Sequence, residues 1–273
     1  MEAATATAEP RLGAWVQPVN RWQGGENSIH NDAVARSVGM RGGAIPGTVH
    51  LNHFRPLLDE LFGDRWLING AVSMYYTYAT SHLEDVRAVI KAPPGRCWDE
   101  DAVFPAWVET PDGKTVCKGT VSIGSPLTPN YIRGLPLDKA PAGANRIAAA
   151  VQAGTELKRI EDFVFEHGED GIVRDPQSMY GALMSNFLRG QIAQPAVGFF
   201  GATEIQLRHG PIRSGVPYVK TGRVACVGVT DKTEFVWVDS ELTDSSGRLI
   251  AEMRHLTRWM KASSPLWKDD GER

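Results

Sequence analysis

Apolar positions recur along the chain in two periods. Val49, Phe54, Leu57, Leu58 and Leu61 share one face of a helix drawn over 46–63, and Gly63 supplies a C-terminal stop. Pro56 lies inside that run and cannot donate to the carbonyl four residues earlier, so the helix should kink or restart there. Beyond it the period falls to two. Segments 66–78, 85–91, 102–109 and 115–123 read as strands, with Pro111-Asp112-Gly113-Lys114 turning between the last two. The plan then repeats. Met179, Leu183, Met184, Phe187, Leu188 and Ile192 recur at helical spacing, and Pro195 closes the segment. Strand patterns follow at 202–209, 218–229, 233–242 and 249–260, with Asp244-Ser245-Ser246-Gly247 as a tight turn.

A helix followed by a meander of strands, twice over, argues an α+β fold with antiparallel sheet, since a doubly wound parallel sheet needs helices between its strands. Residues 125–144 carry Pro126, Pro129, Gly134, Pro136, Pro141 and Gly143 and read as a linker, followed by an Ala-rich helix candidate over 145–153. The expected organisation is therefore an N-terminal unit over 11–140 and a C-terminal unit over 141–265, with tails at 1–10 and 266–273. The two halves share a plan and little sequence.

Composition narrows the function classes. The 273 residues suffice for one large domain or two, and 42% hydrophobic with 22% charged residues is the balance of a soluble globular protein. A net charge of −3 and a pI of about 6.2 leave no basic field to hold a phosphate backbone, so nucleic acid is not an expected partner. The first ten residues are rich in Ala and Thr and lack a basic stretch followed by an apolar one, which is the pattern of a disordered tail. No run of about 18 apolar residues marks a membrane span. Cys97, Cys117 and Cys226 are odd in number and widely spaced, which suits a reducing compartment, and the cytoplasm is the expected location.

The densest chemistry lies in Gly25-Glu26-Asn27-Ser28-Ile29-His30-Asn31-Asp32, which leads through the glycine-punctuated run 39–47 into the first helix. His30 has the residue type of a general base near neutral pH, particularly where a carboxylate orients it. Asp32 is expected to bond the loop backbone and hold its shape. His50 and His53, three apart on a helix, are open to reading as metal ligands, but no acid or thiol completes a set, and core or pocket-lining roles are favoured. Tyr75, Tyr76 and Tyr78 are candidates for a pocket wall or for sheet packing. Ser122 fails the spacing of a nucleophile elbow, and the glycines of 39–47 fail that of a dinucleotide site.

In order, the loop resembles the signature of MaoC-like (R)-specific enoyl-CoA hydratases, Asp-x-Asn-Pro-(Ile/Leu)-His-x-Asp-x-x-Ala. Asn27, Ile29, His30, Asp32 and Ala35 match; the family's acid falls on Gly25, its proline on Ser28, and Glu26 is the nearest carboxylate. The corresponding stretch of the second half, 168–176, lacks the Asn and His. The resemblance implies two hotdog units, each a helix wrapped by an antiparallel sheet, packed as a pseudo-dimer. It also implies a hydratase or dehydratase acting on an enoyl or 3-hydroxyacyl thioester carried by CoA or an acyl carrier protein. His30, Glu26 and Asn27 would then be catalytic, and the Gly47 and Thr48 amides would polarise the carbonyl. His50, His53 and Tyr76 would stand near the pocket, and neither metal nor redox cofactor would be needed. A hotdog thioesterase, another carbonyl-directed proton-transfer enzyme, and a non-catalytic acyl-binding subunit stay open, as does a homodimer.

Overall fold

The computed structural model describes residues 9–22, 27–93, 95, 101–137, 145–164, 170–184, 187–188 and 190–267. Its centre is one ten-stranded sheet in which every neighbouring pair is antiparallel. The strands are β1 (Arg11–Leu12), β2 (Gly70–Tyr76), β3 (Arg87–Ile90), β4 (Ala102–Glu109), β5 (Thr115–Ile123), β6 (Glu156–Phe163), β7 (Gly198–Leu207), β8 (Pro217–Val229), β9 (Thr233–Thr243) and β10 (Leu249–Met260). They lie in the order β1-β3-β4-β5-β2-β7-β10-β9-β8-β6. The first five in sequence thus occupy one side and the last five the other. The seam is β2 on β7, registered from Ala71 opposite Gln206 to Tyr75 opposite Ala202. Pairing there removes the inner edge that either half alone would leave exposed.

The expected first helix exists in two pieces. A 3₁₀ segment, Gly47–Phe54, runs into α2 (Arg55–Phe62), with Pro56 in the first turn of α2, where its missing N–H costs nothing, and Gly63 closing it. Leu51, Phe54, Leu58, Leu61 and Phe62 are buried in a core that also takes Met179 and Leu183 of α4 (Pro176–Leu183), so one apolar cluster serves both halves. Asn52 and Gln177 lock the two helical segments together: the Gln177 amide donates to Asn52 Oδ1 at 2.8 Å, and Asn52 Nδ2 donates to Gln177 Oε1 at 3.3 Å.

Several expectations need correction. Segment 66–78 begins as a short helix, α3 (Trp66–Asn69), because Trp66 buries its ring in the core before the strand starts. The second helix stops at Leu183, and Met184 is already extended. Phe187 belongs to a different apolar cluster, with Val238 and Trp259, so the helical spacing beyond 183 serves two packing sites rather than one face. The Ala-rich segment over 145–153 forms turns. The Ile147 carbonyl, which a helix would offer to Val151, is taken by the Ala193 amide at 2.8 Å. Strands β1 and β6 and the short helix α1 (Asp32–Ser37) were not expected from the pattern. The proposed boundary near residue 140 lies outside the described residues, as do most of the expected tails.

Two buried carboxylates tie connecting segments to the sheet, Glu204 at the link between halves and Glu234 within the second half. Glu204 accepts from Ser73 Oγ at 2.7 Å and Arg133 Nε at 3.0 Å, joining β2, β7 and the linker; burial raises its pKa, and Ser73 and Arg133 oppose that. Glu234 accepts from the amides of Arg146, Ile147 and Ala148 and from Trp267 Nε1, all within 2.7–2.9 Å. Glu234→Ala should strand these donors and lower stability by roughly 3 kcal/mol or more, with Glu234→Gln intermediate, measured by urea unfolding. An unchanged midpoint would show that this cluster carries no stability.

Candidate active site

The polar loop folds around its own backbone. Asn31 caps α1, its Oδ1 accepting from the Ala33 and Val34 amides at 2.9 and 3.2 Å. Asp32 Oδ1 accepts from the Gly43 amide at 2.7 Å, the shape-holding role expected of it. Gly43 must be glycine: a Cβ there would stand 2.5 Å from the His30 carbonyl oxygen. Gly43→Ala should therefore displace His30 with the fold retained, a result read from the His30 imidazole signals in NMR spectra beside a melting curve.

His30 sits half-buried at the end of this loop. Its Nδ1 lies 2.7 Å from the Ala44 carbonyl oxygen, an acceptor, so Nδ1 carries the proton and Nε2 keeps a free lone pair. A backbone carbonyl, not a carboxylate, orients the ring. Burial lowers its pKa below 6.5, and the bond to Ala44 opposes this more weakly. The neutral imidazole is thus the form at neutral pH. Trp22 tilts over the ring at 5.0 Å, and Asn20 Nδ2 donates to the His30 carbonyl at 2.9 Å. Both residues belong to the N-terminal segment, which pairs along β3 through β1 and then crosses to the loop.

The loop reaches into the second half. Ser28 bridges Gly198, and Ile29 packs with Val197 and Phe199. As a result His30 lines a cavity of about 1070 Å³ whose walls come from both halves, including Asn27, Thr48, Tyr180, Gln194 and Phe200. His30 also lines a smaller adjoining cavity of about 250 Å³ with Gly47, His50, Tyr76 and Tyr78. The large cavity has one charged residue among its described lining, Arg21.

The anticipated residues other than Glu26 can be placed. Glu26 lies outside the described residues. Asn27 is exposed at the cavity rim, and Thr48 is buried in its wall. The Gly47 and Thr48 amides open the 3₁₀ segment, where no preceding turn supplies their acceptors. A Cβ on Gly47 would lie 3.1 Å from the Tyr76 ring, so this glycine admits Tyr76 to the small cavity. His50 bonds Thr80 Oγ1 at 2.8 Å and has its pKa lowered to about 3 by burial and then by His53. His53 is lowered to about 4 by burial, and its Nε2 has no hydrogen-bond partner. Their rings stand 5.3 Å apart. Among the described residues no group of three or more His, Cys, Asp or Glu side chains is placed to hold a metal ion. Tyr76 and Tyr78 line the small cavity, while Tyr75, on the opposite sheet face, bonds Arg258 at 2.9 Å.

Tyr180, Gln194 and Phe200, and the strap residues Gln17 to Trp22, were missed by sequence reasoning. They lie far from the loop in sequence, and only the pairing of the halves brings them to it.

No family model and no curated protein matches the chain. Solved structures do. A protein from Chloroflexus aurantiacus J-10-fl assigned as a MaoC domain dehydratase superposes with a TM-score of 0.60 at 11% identity, covering 93% of this chain and 95% of that one. A conserved protein from Mycobacterium tuberculosis described as having a double hotdog fold gives 0.56 at 13% identity, with 90% and 96% covered. The fold is a double hotdog. A protein from Lactobacillus plantarum assigned as an oleoyl thioesterase gives 0.52 at 11% identity over 93% and 97% of the two chains, so the same double hotdog hosts differently assigned chemistry. Among the described residues no helix is long and apolar enough to cross a membrane.

Proposed function

We propose that this double hotdog protein is an acyl-thioester enzyme, and specifically a hydratase or dehydratase that uses His30 as its acid and base. The observation that carries this reading is a neutral imidazole, fixed by Ala44 with its second nitrogen free, on a cavity whose wall includes the start of the Gly47–Phe54 segment. The assignment of the Chloroflexus neighbour points the same way.

In the hydration direction His30 Nε2 takes a proton from water as the oxygen bonds to the β-carbon of an enoyl thioester. The electron pair of the double bond moves to the carbonyl oxygen, and amide N–H groups at Gly47 and Thr48 stabilise the enolate. The same imidazolium then returns the proton to the α-carbon, so one base balances the reaction; dehydration is the reverse. Glu26 is the candidate to share this proton traffic. On that role Glu26→Gln should lower kcat by roughly 10²-fold, whereas a solvated surface glutamate would leave kcat unchanged.

Thioesterase chemistry is the second reading, favoured by the Lactobacillus neighbour. It calls for a carboxylate to activate water, and the described lining of the large cavity has none. Incubation with crotonyl-CoA and with a saturated acyl-CoA separates the readings. Loss of enoyl absorbance supports hydration, release of free thiol overturns it in favour of hydrolysis, and neither result with any chain length returns the protein to an acyl-binding role.

A further inference from the structure

Tyr180 is the one aromatic hydroxyl among the described residues of the large cavity, and the second half supplies it from α4. It stands three residues after Gln177, so the two share a helix face, and both line the cavity. That face is fixed to the first half. The Gln177 backbone amide can only donate, so the atom that accepts from it at 2.8 Å is Asn52 Oδ1, and Asn52 Nδ2 is left to donate to Gln177 Oε1. Asn52 belongs to the Gly47–Phe54 segment, which begins with the Gly47 and Thr48 amides. These bonds therefore hold the Tyr180 face of α4 and those amides in one frame.

The fold makes no use of the Tyr180 hydroxyl. Among the described residues it has no hydrogen-bond partner, and it is not one of the unpartnered polar atoms sealed from solvent, so it is open to the cavity that Tyr180 lines. Its ring is held, tilted against Phe200 at 5.5 Å and against His255 at 5.3 Å, which fixes where the hydroxyl stands. Burial raises its pKa above the ordinary tyrosine value, so the group keeps its proton. It is a neutral donor. The described lining of the cavity has no carboxylate, and its one charged residue, Arg21, is exposed. A donor in such a wall bonds water until a ligand brings an acceptor.

We propose that Tyr180 is a catalytic residue contributed by the second half, its hydroxyl donating to an oxygen of the acyl group, the thioester carbonyl or a 3-hydroxyl. The proposal rests on the acyl-thioester reading above. A donor that keeps its proton complements a single base, because His30 both takes and returns the proton while Tyr180 holds an oxygen. On the carbonyl it would add to the Gly47 and Thr48 amides and strengthen as the enolate forms; on a 3-hydroxyl it would hold the entering or departing oxygen in place. With His30 from the first half and Tyr180 from the second, neither half alone makes a complete site.

Tyr180→Phe is the test, because it removes one unpartnered oxygen and keeps the ring against Phe200 and His255, so the variant should melt no lower than the wild type. Hydration rates are measured with crotonyl-CoA. Calorimetric affinities for butyryl-CoA and 3-hydroxybutyryl-CoA are measured with His30→Ala also present, so that neither ligand reacts. Donation to the carbonyl should lower kcat by ~10²-fold or more and both affinities only a few-fold. Donation to a 3-hydroxyl should lower the affinity for 3-hydroxybutyryl-CoA by roughly 5-fold and leave that for butyryl-CoA unchanged. An unchanged rate with unchanged affinities overturns the inference and leaves the acyl-thioester reading standing, as does a lowered melting temperature, which would make the hydroxyl structural. Affinity lost in Tyr180→Phe, with no hydration by the wild type, overturns the hydratase reading and leaves the inference. Neither turnover nor binding of any of the three thioesters by the wild type overturns both.

Discussion

His30→Ala is expected to lower kcat for enoyl-thioester hydration by about 10³-fold, the middle of the range for loss of a general acid–base group. The loss follows from geometry. His30 Nδ1 is committed to Ala44, so Nε2 alone meets substrate, and no other imidazole stands in the large cavity among its described lining. His50 cannot substitute, because its Nε2 is engaged by Thr80 and its Nδ1 is buried. Removing the ring frees one carbonyl, that of Ala44, at a cost of about 1–3 kcal/mol, so the variant should remain folded by circular dichroism. The pH profile carries a second signature. Since burial depresses the His30 pKa, the base stays neutral as pH falls through 6.5, and the acidic limb of kcat/KM should break below that value. Gly25→Asp approaches the same chemistry from the other side: it restores an acid five residues before His30 and should raise hydration if Glu26 is an imperfect replacement. Turnover unchanged in both His30→Ala and Glu26→Gln would remove the loop from the mechanism.

Much of the architecture was legible because it is carried by local pattern. Strands β4, β5 and β10 begin and end where alternation and turn residues place them, and Pro56 restarts the helix as its missing N–H demands. The failures have a common cause. β1 has two residues and β6 is mostly exposed, so neither shows an alternating buried face. The helix expected to run past Leu183 fails because Phe187 and Met179 answer to different apolar clusters. The site divides in the same way. The loop histidine, the Asp32 contact and the Gly47 helix start are local and were anticipated. Ala44 as the partner of His30, the Trp22 strap, and the walls from Tyr180 and Phe200 depend on contacts between distant segments, which leave no mark on either segment alone.

Acidification should begin to destabilise the protein before its carboxylates titrate. His50 and His255 are buried, His53 is half-buried, and all three are neutral, with pKa values lowered to about 3, about 3 and about 4. In the unfolded chain each returns to about 6.5. Below that pH the unfolded state binds protons that the folded state refuses, so stability is intact above about 6.5 and is lost as pH falls toward 4. Each such histidine contributes a slope of about 1.4 kcal/mol per pH unit, and three together about 4. Against a typical stability of about 5–15 kcal/mol, this brings the midpoint of acid unfolding to roughly pH 4–5. His30, its pKa also lowered by burial, adds to the loss just below 6.5, but the carboxylates do not imitate the effect there. Glu84 and Glu109 have depressed values, so their losses begin only near the ordinary carboxylate range, and Glu204, raised by burial, acts in the opposite sense. Urea unfolding at intervals between pH 7 and pH 5 isolates the histidines. His53→Phe is the informative variant, because His53 has an unpartnered Nε2 and lines neither cavity. It should fold, be more stable than wild type at pH 5, and reduce the slope by roughly a quarter to a third. A stability that is flat from pH 7 to 5, or a His53→Phe slope equal to that of wild type, would mean that these rings are hydrated or paired in solution and that the core around the Gly47–Phe54 segment is looser than its packing indicates.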